Sequence, residues 1–219
     1  EAINYVNNEM DPHLVHGYMP NAGFESTRTA VAENLNKRFG SNFTFENIIM
    51  TVGAGSSINV IMKTIFDPGD KQVVFAPYFV EYANWASNYH AETVVVPPNE
   101  ANGFEPDPEA LKKALDPKVK VVIINNPNNP TGAIYSRETL EKIAEVLKEA
   151  EKEYGHPIYI ITDEPYRELV YVDKEIVFIP DLYDNTIIAY SWSKSLSIPG
   201  DRLGYLAVSP KSDNVEEFM

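Results

Sequence analysis

The sequence predicts an α/β fold with a mostly parallel central sheet. Two observations lead to this prediction. Short apolar runs alternate with amphipathic segments along the chain, and turn-forming residues follow most of the apolar runs. The sequence contains no repeat, low-complexity tract or clear linker that would divide it. We therefore interpret residues 1–219 as a single domain.

Strands are predicted where a short, largely apolar run ends at turn residues. The first run, Ile48-Ile49-Met50-Thr51-Val52, stops at Gly53. The predicted strands span residues 48–52, 72–76, 93–96, 120–124, 158–162, 186–190 and 205–208.

Helices are predicted where apolar residues recur every three or four positions. The helix at 24–39 carries Val31 and Leu35 on its apolar face and ends at Gly40. The helix at 107–115 begins with Asp-Pro, a strong start signal. Further helices are predicted at 80–88, at 136–154, and around the run Ile58, Ile61, Met62 and Ile65.

Composition and charge narrow the class of protein. Of the 219 residues, 44% are apolar and 23% charged, as in ordinary globular proteins. A formal net charge of -14 disfavours binding to nucleic acids or anionic membranes. The absence of cysteine excludes disulfides and thiolate metal sites and is consistent with a cytoplasmic protein. The chain starts without Met and stops inside a predicted helix, so we expect a fragment of a longer protein.

Residues with distinctive chemistry follow the carboxyl ends of five predicted strands, at 53–57, 77–79, 125–132, 163–166 and 191–194. Ligands bind at this edge of an open α/β sheet. In the last cluster, Lys194 is a potential nucleophile towards carbonyl groups, while Ser191 and the nearby Arg202 can hold a phosphate. This combination predicts a phosphorylated aldehyde held as a Schiff base.

Each cluster also has a purely structural interpretation. Gly53 could form only a tight turn, and Ile58 at the third glycine position excludes a dinucleotide fingerprint. Phe79 could be a core aromatic or a residue that stacks on a planar ligand. Asp163 could be a cap or a paired buried carboxylate, and Asn129 could be a turn residue.

Two other kinds of site, a metal site and the active site of a serine enzyme, are less favoured. The four histidines, at 13, 16, 90 and 156, lack metal-ligand spacing, so no metal site is expected and the pair at 13 and 16 is interpreted as structural. Ser191-x-x-Lys194 and Ser212-Asp213-Asn214 match two elements of penicillin-binding serine enzymes. The third element, Lys-Thr-Gly, is absent.

Three motifs, taken together, resemble signatures of the class I/II aminotransferases, which use pyridoxal 5'-phosphate (PLP). The segment 191–204, with Ser-Trp-Ser-Lys and Gly-Asp-Arg-Leu-Gly, resembles the PLP-lysine motif. Asn129-Pro130-Thr131-Gly132 and Asp163-Glu164-Pro165-Tyr166 resemble two others. The resemblance covers residues 18–204 and implies a fold like that of aspartate aminotransferase (fold type I). It implies a three-layer αβα large domain, with the amino-terminal arm and carboxy-terminal small domain missing.

The resemblance implies catalytic roles for three residues. Lys194 would form the Schiff base with PLP and then move a proton between the substrate Cα and the cofactor. Asp163 would keep the pyridine nitrogen protonated, which makes the ring an electron sink. Tyr166, together with Asn129, would hydrogen-bond the phenolic oxygen of the ring, and Phe79 would stack on its face.

The resemblance also implies a phosphate site and a homodimer. The phosphate would be held by the backbone amides of Ala54 and Gly55 and by the side chains of Ser191, Ser193 and Arg202. Tyr18 would reach the phosphate of the neighbouring subunit, so the active sites would be shared.

The expected activity is transfer of an amino group from an amino acid to a 2-oxo acid. No residue matches the arginine that binds the substrate carboxylate in the missing small domain. We therefore expect this chain to bind PLP but to transaminate poorly or not at all. A PLP-dependent carbon–sulfur β-lyase and a PLP-binding regulatory module remain alternatives, and the amino donor stays open.

Overall fold

A seven-stranded sheet organises the computed structural model, which describes residues 17–219. The histidines at 13 and 16 lie outside the described residues. The strands are β1 (Ile48–Thr51), β2 (Lys71–Phe75), β3 (Glu92–Val96), β4 (Val119–Asn125), β5 (Tyr159–Asp163), β6 (Thr186–Ser191) and β7 (Gly204–Val208).

The strand order is β1-β7-β6-β5-β4-β2-β3. β7 runs antiparallel to both of its neighbours, and the remaining pairs are parallel. The predicted mostly parallel sheet is therefore confirmed. All of the predicted strands form, with bounds that differ by one or two residues.

The predicted helices form as well. They are α1 (Glu25–Phe39), α2 (Ala54–Ile65), α3 (Glu81–Ser87), α4 (Pro108–Ala114), α5 (Arg137–Tyr154) and α6 (Val215–Phe218). Short 3-10 turns occur at Phe45–Asn47, Glu100–Asn102, Ile179–Asp181 and Pro199–Asp201. The helix predicted around Ile58 begins four residues earlier, at Ala54, directly after Gly53. Within residues 17–219, no helix has both the length and the apolar character to cross a bilayer.

Both faces of the sheet are buried. In β4, Val122 and Ile124 pack in a cluster with α4 and α5, whereas Val121 and Ile123 pack in another with α2 and α3. A third cluster joins α1 to β1, β6 and β7 through residues such as Leu35. Burial on both faces explains why these strands are continuous apolar runs. The arrangement is a three-layer αβα fold, as expected.

Candidate functional site

The register of three strands places their ends in one row. Thr51 of β1 pairs with Gly204 of β7, which in turn pairs with Ser191 of β6. A Cβ atom at Gly204 would lie 2.6 Å from the Tyr190 carbonyl oxygen and 2.8 Å from the Gly53 Cα. Because glycine has no side chain, the turn after β1 can close against the end of β6. The predicted phosphate residues on these two segments are therefore neighbours.

The turn between β1 and α2 exposes unpaired backbone donors. Gly53 adopts a φ of 97° and supplies no side-chain cap to the helix. Its carbonyl accepts from the amides of Ser56 and Ser57, at 3.1 and 3.2 Å. Within residues 17–219, the Ala54 and Gly55 amides that precede them have no acceptor. Free amides at a helix start, with the positive end of the helix dipole, favour an anion.

Arg202 brings a positive charge to the same turn. Its guanidinium group donates to the Val52 carbonyl (3.1 Å) and to the Pro199 carbonyl (2.9 Å). The residue itself has a left-handed backbone, with a φ of 53°. The side chain is exposed, so a ligand phosphate at the helix start can contact it.

Asp163, the last residue of β5, carries the buried carboxyl group of the site. Its Oδ2 accepts a hydrogen bond from the Tyr82 hydroxyl at 2.5 Å. Its Oδ1 is buried and has no partner among the described residues. Burial raises the pKa of Asp163 to about 7, the Tyr82 hydrogen bond lowers it, and the charge of Glu164 raises it. A cationic N–H donor from a ligand would satisfy the free oxygen.

Asn125 ties the neighbouring strand β4 to the backbone of Asp163. It pairs with Asp163 in the β4–β5 register, and its Nδ2 donates to the Asp163 carbonyl at 2.8 Å. Its Oδ1 accepts from the backbone amide of Asn129 at 2.6 Å. Asn125 therefore fixes the Asn129 loop relative to Asp163.

The turn that presents Tyr166 is held by a buried ion pair. The guanidinium group of Arg167 contacts the carboxylate of Glu164, and Thr162 donates to the other oxygen of that carboxylate at 2.8 Å. The guanidinium carbon of Arg167 also lies 4.9 Å from the ring centroid of Tyr190. These contacts fix the turn directly after Asp163.

Tyr166 and Asn129 line the same cavity, of about 420 Å³. Tyr166 is half-buried, and burial followed by the nearby charge of Asp163 raises the pKa of its hydroxyl. The structure thus brings together the two residues predicted to contact a ring oxygen.

Phe79 lies at the rim of the site. The residue is 38% exposed, so the interpretation of Phe79 as a core aromatic is wrong. Its ring centroid is 5.7 Å from that of Tyr82 and 6.0 Å from that of Trp85, both in edge-on contacts. The exposed ring is available to a planar ligand.

Lys194 is exposed in the segment between β6 and β7. Among the described residues, its amine has no hydrogen-bond or ion-pair partner. The adjacent Ser195 lies 3.0 Å from the Tyr190 hydroxyl, which also donates to Glu168 at 2.8 Å. The backbone next to Lys194 is therefore held in place by Ser195, while the Lys194 amine has no partner among the described residues. Ser193, next to Lys194, is half-buried, whereas Ser191 is buried.

Tyr18 is fully exposed. No hydrogen bond within residues 17–219 links it to the other predicted site residues. The structure therefore does not bring Tyr18 into the site of its own chain.

The serine-enzyme alternative is excluded by the strand direction. β7 is antiparallel, so Ser212 and Asp213, which follow it, lie at the edge of the sheet opposite Lys194. Ser212 donates there to Asn185, which precedes β6, at 3.2 Å. The two motifs cannot form one active site.

Sequence reasoning missed Tyr82 and the Glu164–Arg167 pair. A signal for Tyr82 was present, because Phe79, Tyr82 and Trp85 recur every three residues, which places them on one side of a helix. Nothing in the sequence pairs Tyr82 with Asp163, since the two residues are 81 positions apart.

The chain is similar to known aminotransferases. A sequence model of the family "Aminotransferase class I and II" matches residues 2–219. An aspartate aminotransferase of Pyrococcus horikoshii is 36% identical over 190 residues, which are 86% of this chain and 47% of that protein. An aspartate/prephenate aminotransferase of Thermus thermophilus is 35% identical over 196 residues, 89% of this chain and 49% of that protein.

Solved structures give the same result. The crystal structure of an aminotransferase from Eubacterium rectale superposes with a TM-score of 0.95 at 40% identity, covering 99% of this chain and 54% of that one. An aspartate aminotransferase from Thermotoga maritima gives a TM-score of 0.87 at 30% identity, covering 99% and 55%. This chain spans about half the length of the curated relatives it matches. The chain therefore belongs to the class I and II aminotransferases, a PLP-dependent family.

Proposed function

We propose that this chain is the PLP-binding domain of an enzyme that moves an amino group from an amino acid to a 2-oxo acid. The observation that carries the proposal is the buried Oδ1 of Asp163, which has no partner in the described part of the chain. The pyridine nitrogen of PLP, when protonated, is an N–H donor of the kind that this oxygen lacks. When bound, PLP supplies an electron sink for the substrate carbanion.

The other residues fit the remaining groups of PLP. The free amides of Ala54 and Gly55, with Arg202, Ser191 and Ser193, suit the phosphate. Asn129 and Tyr166 suit the phenolic oxygen, because Asn129 is tied through Asn125 to the Asp163 backbone and Tyr166 lies close enough to Asp163 to feel its charge. Phe79 presents an exposed ring for stacking.

Lys194 supplies the amine of the site. In the proposal, its Nζ would hold the aldehyde carbon of PLP. The same Nζ would also move a proton at the substrate Cα. Exposure of Lys194 and anchoring of the adjacent Ser195 support both roles, because the amine can move while its backbone is held.

A homodimer with shared sites is part of the proposal. An apolar cavity of about 590 Å³ adjoins the phosphate residues and includes Arg202 in its lining. Exposed apolar side chains around it are Met19, Phe24, Val52, Val60 and Leu203. Apolar exposure of this kind marks an interface, and an exposed Tyr18 suits a residue that reaches a partner.

The substrates and the division of labour are proposed from the relatives. Several are named for aspartate, so aspartate is the first donor to test. Because the chain spans about half of their length, we propose that residues outside it bind the substrate carboxylate. The lyase and regulatory alternatives are not favoured, since the most similar relatives bear aminotransferase names. A cytoplasmic location stays a prediction.

The proposal is tested by a coupled assay that follows the 2-oxo acid produced from each amino donor. A protein extended to the length of the relatives should transaminate, and its Lys194→Ala variant should not. This chain alone should bind PLP with little turnover. Equal turnover by both lengths would contradict the proposal that residues outside this chain bind the substrate carboxylate.

A further inference from the structure

A buried tyrosine outside the predicted site contacts its central carboxylate. Tyr82 on α3 is 2% exposed, and its hydroxyl donates to Oδ2 of Asp163 at 2.5 Å. Burial, together with the charge of Asp163, raises the pKa of Tyr82 well above its usual value, so the phenol stays protonated. The tyrosine is therefore a permanent donor to this oxygen.

Tyr82 is itself held from two sides. Gln72 of β2 donates from Nε2 to the Tyr82 carbonyl at 2.8 Å and to the Thr93 hydroxyl at 2.9 Å. The ring packs edge-on against Phe79, with centroids 5.7 Å apart, and lies 6.0 Å from Trp85. The donor thus has a fixed place between the exposed ring and the carboxylate.

The carboxylate has little else to orient it. Among the described residues, Oδ2 bonds only Tyr82, and Oδ1 bonds nothing. Losing the phenol would leave the carboxyl group free to rotate about χ2. Which oxygen faces the ligand would then no longer be defined.

We propose that Tyr82 is a positioning residue, whose hydroxyl aims Oδ1 of Asp163 at the pyridine nitrogen of PLP and favours the ionised form of the carboxyl group. This inference rests on the proposed function, because it assumes that PLP binds against Asp163. Tyr82 belongs to none of the three sequence motifs. Tyr82 acts through Asp163 and is not assigned a contact with the substrate.

The titratable groups around Asp163 determine the direction in which its pKa should change when Tyr82 is replaced. The titratable groups that face it are Tyr82 on α3, Glu164 beside it in the chain, and Tyr166 on the following turn. Burial and Glu164 favour the protonated carboxyl, and the Tyr82 hydrogen bond opposes them. In Tyr82→Phe, Asp163 should hold a proton more tightly, and less of the positive charge should remain on the pyridine nitrogen.

The test is a pH titration of the absorbance of PLP bound to the protein, in wild type and in Tyr82→Phe. A less positive ring withdraws fewer electrons from the nitrogen of Lys194 bound to PLP, so that nitrogen should keep its proton to higher pH. Because a hydrogen bond to a charged group is lost, the midpoint should rise by about one pH unit, and PLP affinity should fall about tenfold. Tyr82→His, which keeps a ring N–H donor, should recover part of both effects.

Tyr183→Phe is the matched control. Tyr183 is also 2% exposed, and its hydroxyl donates to the Ile158 carbonyl at 2.7 Å, away from Asp163. This variant should lose stability without moving the midpoint. If Tyr82→Phe does not fold, Tyr82→Leu takes its place as the variant without a donor.

Two outcomes separate the inference from the function on which it rests. If wild type binds no PLP, the proposed function fails. If wild type binds PLP and Tyr82→Phe titrates with the wild-type midpoint, or shifts no more than Tyr183→Phe, the positioning role is overturned and the PLP site stands. Borohydride trapping of PLP on Lys194 in Tyr82→Phe confirms that the variant retains the site.

Discussion

The guanidinium group of Arg202 covers the backbone of Gly53 so closely that a Cβ atom there would lie 2.5 Å from Nη2. Gly53 also has a φ of 97°, which side chains disfavour. The turn between β1 and α2 therefore requires glycine for two independent reasons. The positive φ affects the stability of the turn, and the close contact affects the position of the Arg202 side chain.

A comparison of Gly53→Ala with Gly69→Ala should separate the effect of backbone strain from the effect of the close contact with Arg202. Gly69 has a φ of 94°, but nothing lies within 4 Å of its would-be Cβ. Both variants should lose about 1–3 kcal/mol of stability, because both strain the backbone. Only Gly53→Ala should displace Arg202, and it should weaken binding of PLP more than binding of pyridoxal, which lacks the phosphate. Equal losses for the two ligands would contradict a phosphate site at this turn.

Asp163→Asn should change how stability depends on pH. Burial raises the pKa of Asp163 from 3.8 to about 7, so between these values the folded protein binds a proton that the unfolded chain releases. The free energy of unfolding without cofactor should therefore fall as pH rises from about 4 to about 7, by on the order of 4 kcal/mol.

In Asp163→Asn this part of the pH dependence should vanish, as measured by urea unfolding across that range. Asp181→Asn, at an exposed position, is the control and should leave the difference between pH 4 and pH 7 unchanged. A wild-type pH dependence in Asp163→Asn would show that Asp163 does not titrate in this range.

Arg167→Met should be severely destabilising. It leaves Glu164 as an unpaired buried carboxylate, which costs about 3–5 kcal/mol. Lys112→Met breaks the exposed ion pair with Glu149, at 2.7 Å, and should cost far less stability, because solvent screens this pair. Denaturant unfolding of both variants measures the contrast. Similar small losses would mean that the buried pair does not hold the Tyr166 turn.

Charged substitutions among the exposed apolar side chains of the proposed dimer interface should prevent dimerisation. Val52 is 65% exposed and Val60 is 43% exposed, so Val52→Glu with Val60→Glu should leave the fold of one chain intact. Sedimentation velocity should then show monomers in place of dimers. Val95→Glu on the edge strand β3, where Val95 is 45% exposed, serves as the control. A dimer that survives the double substitution would place the interface elsewhere.

Local patterns predicted the elements of this fold because each carries its own signal. The apolar residues of α5, for example, are buried at the positions that the helical period gives, such as Leu140 and Ile143. The sheet order was not predicted. Nothing local shows that β7 inserts antiparallel between β1 and β6, because that depends on long-range contacts such as Gly204 against Gly53.

The site could be predicted only in part from the sequence, because it also depends on long-range contacts. Asp163 and Lys194 stand out because a carboxylate ends an apolar strand and an amine follows another. Tyr82 and Arg167 resemble ordinary helix and turn residues in the sequence. Their importance comes from burial against a charged partner, which only the folded chain reveals.

The identity of the lysine that binds PLP tests the proposed site most directly. The protein is incubated with PLP, reduced with borohydride and digested, and the labelled peptide is identified by mass spectrometry. We predict a single label on Lys194. The label should be lost in Lys194→Ala and retained in Lys211→Ala, because Lys211 is exposed beyond β7 at the opposite edge of the sheet. No label, or a label on another lysine with Lys194 unmodified, would contradict this prediction.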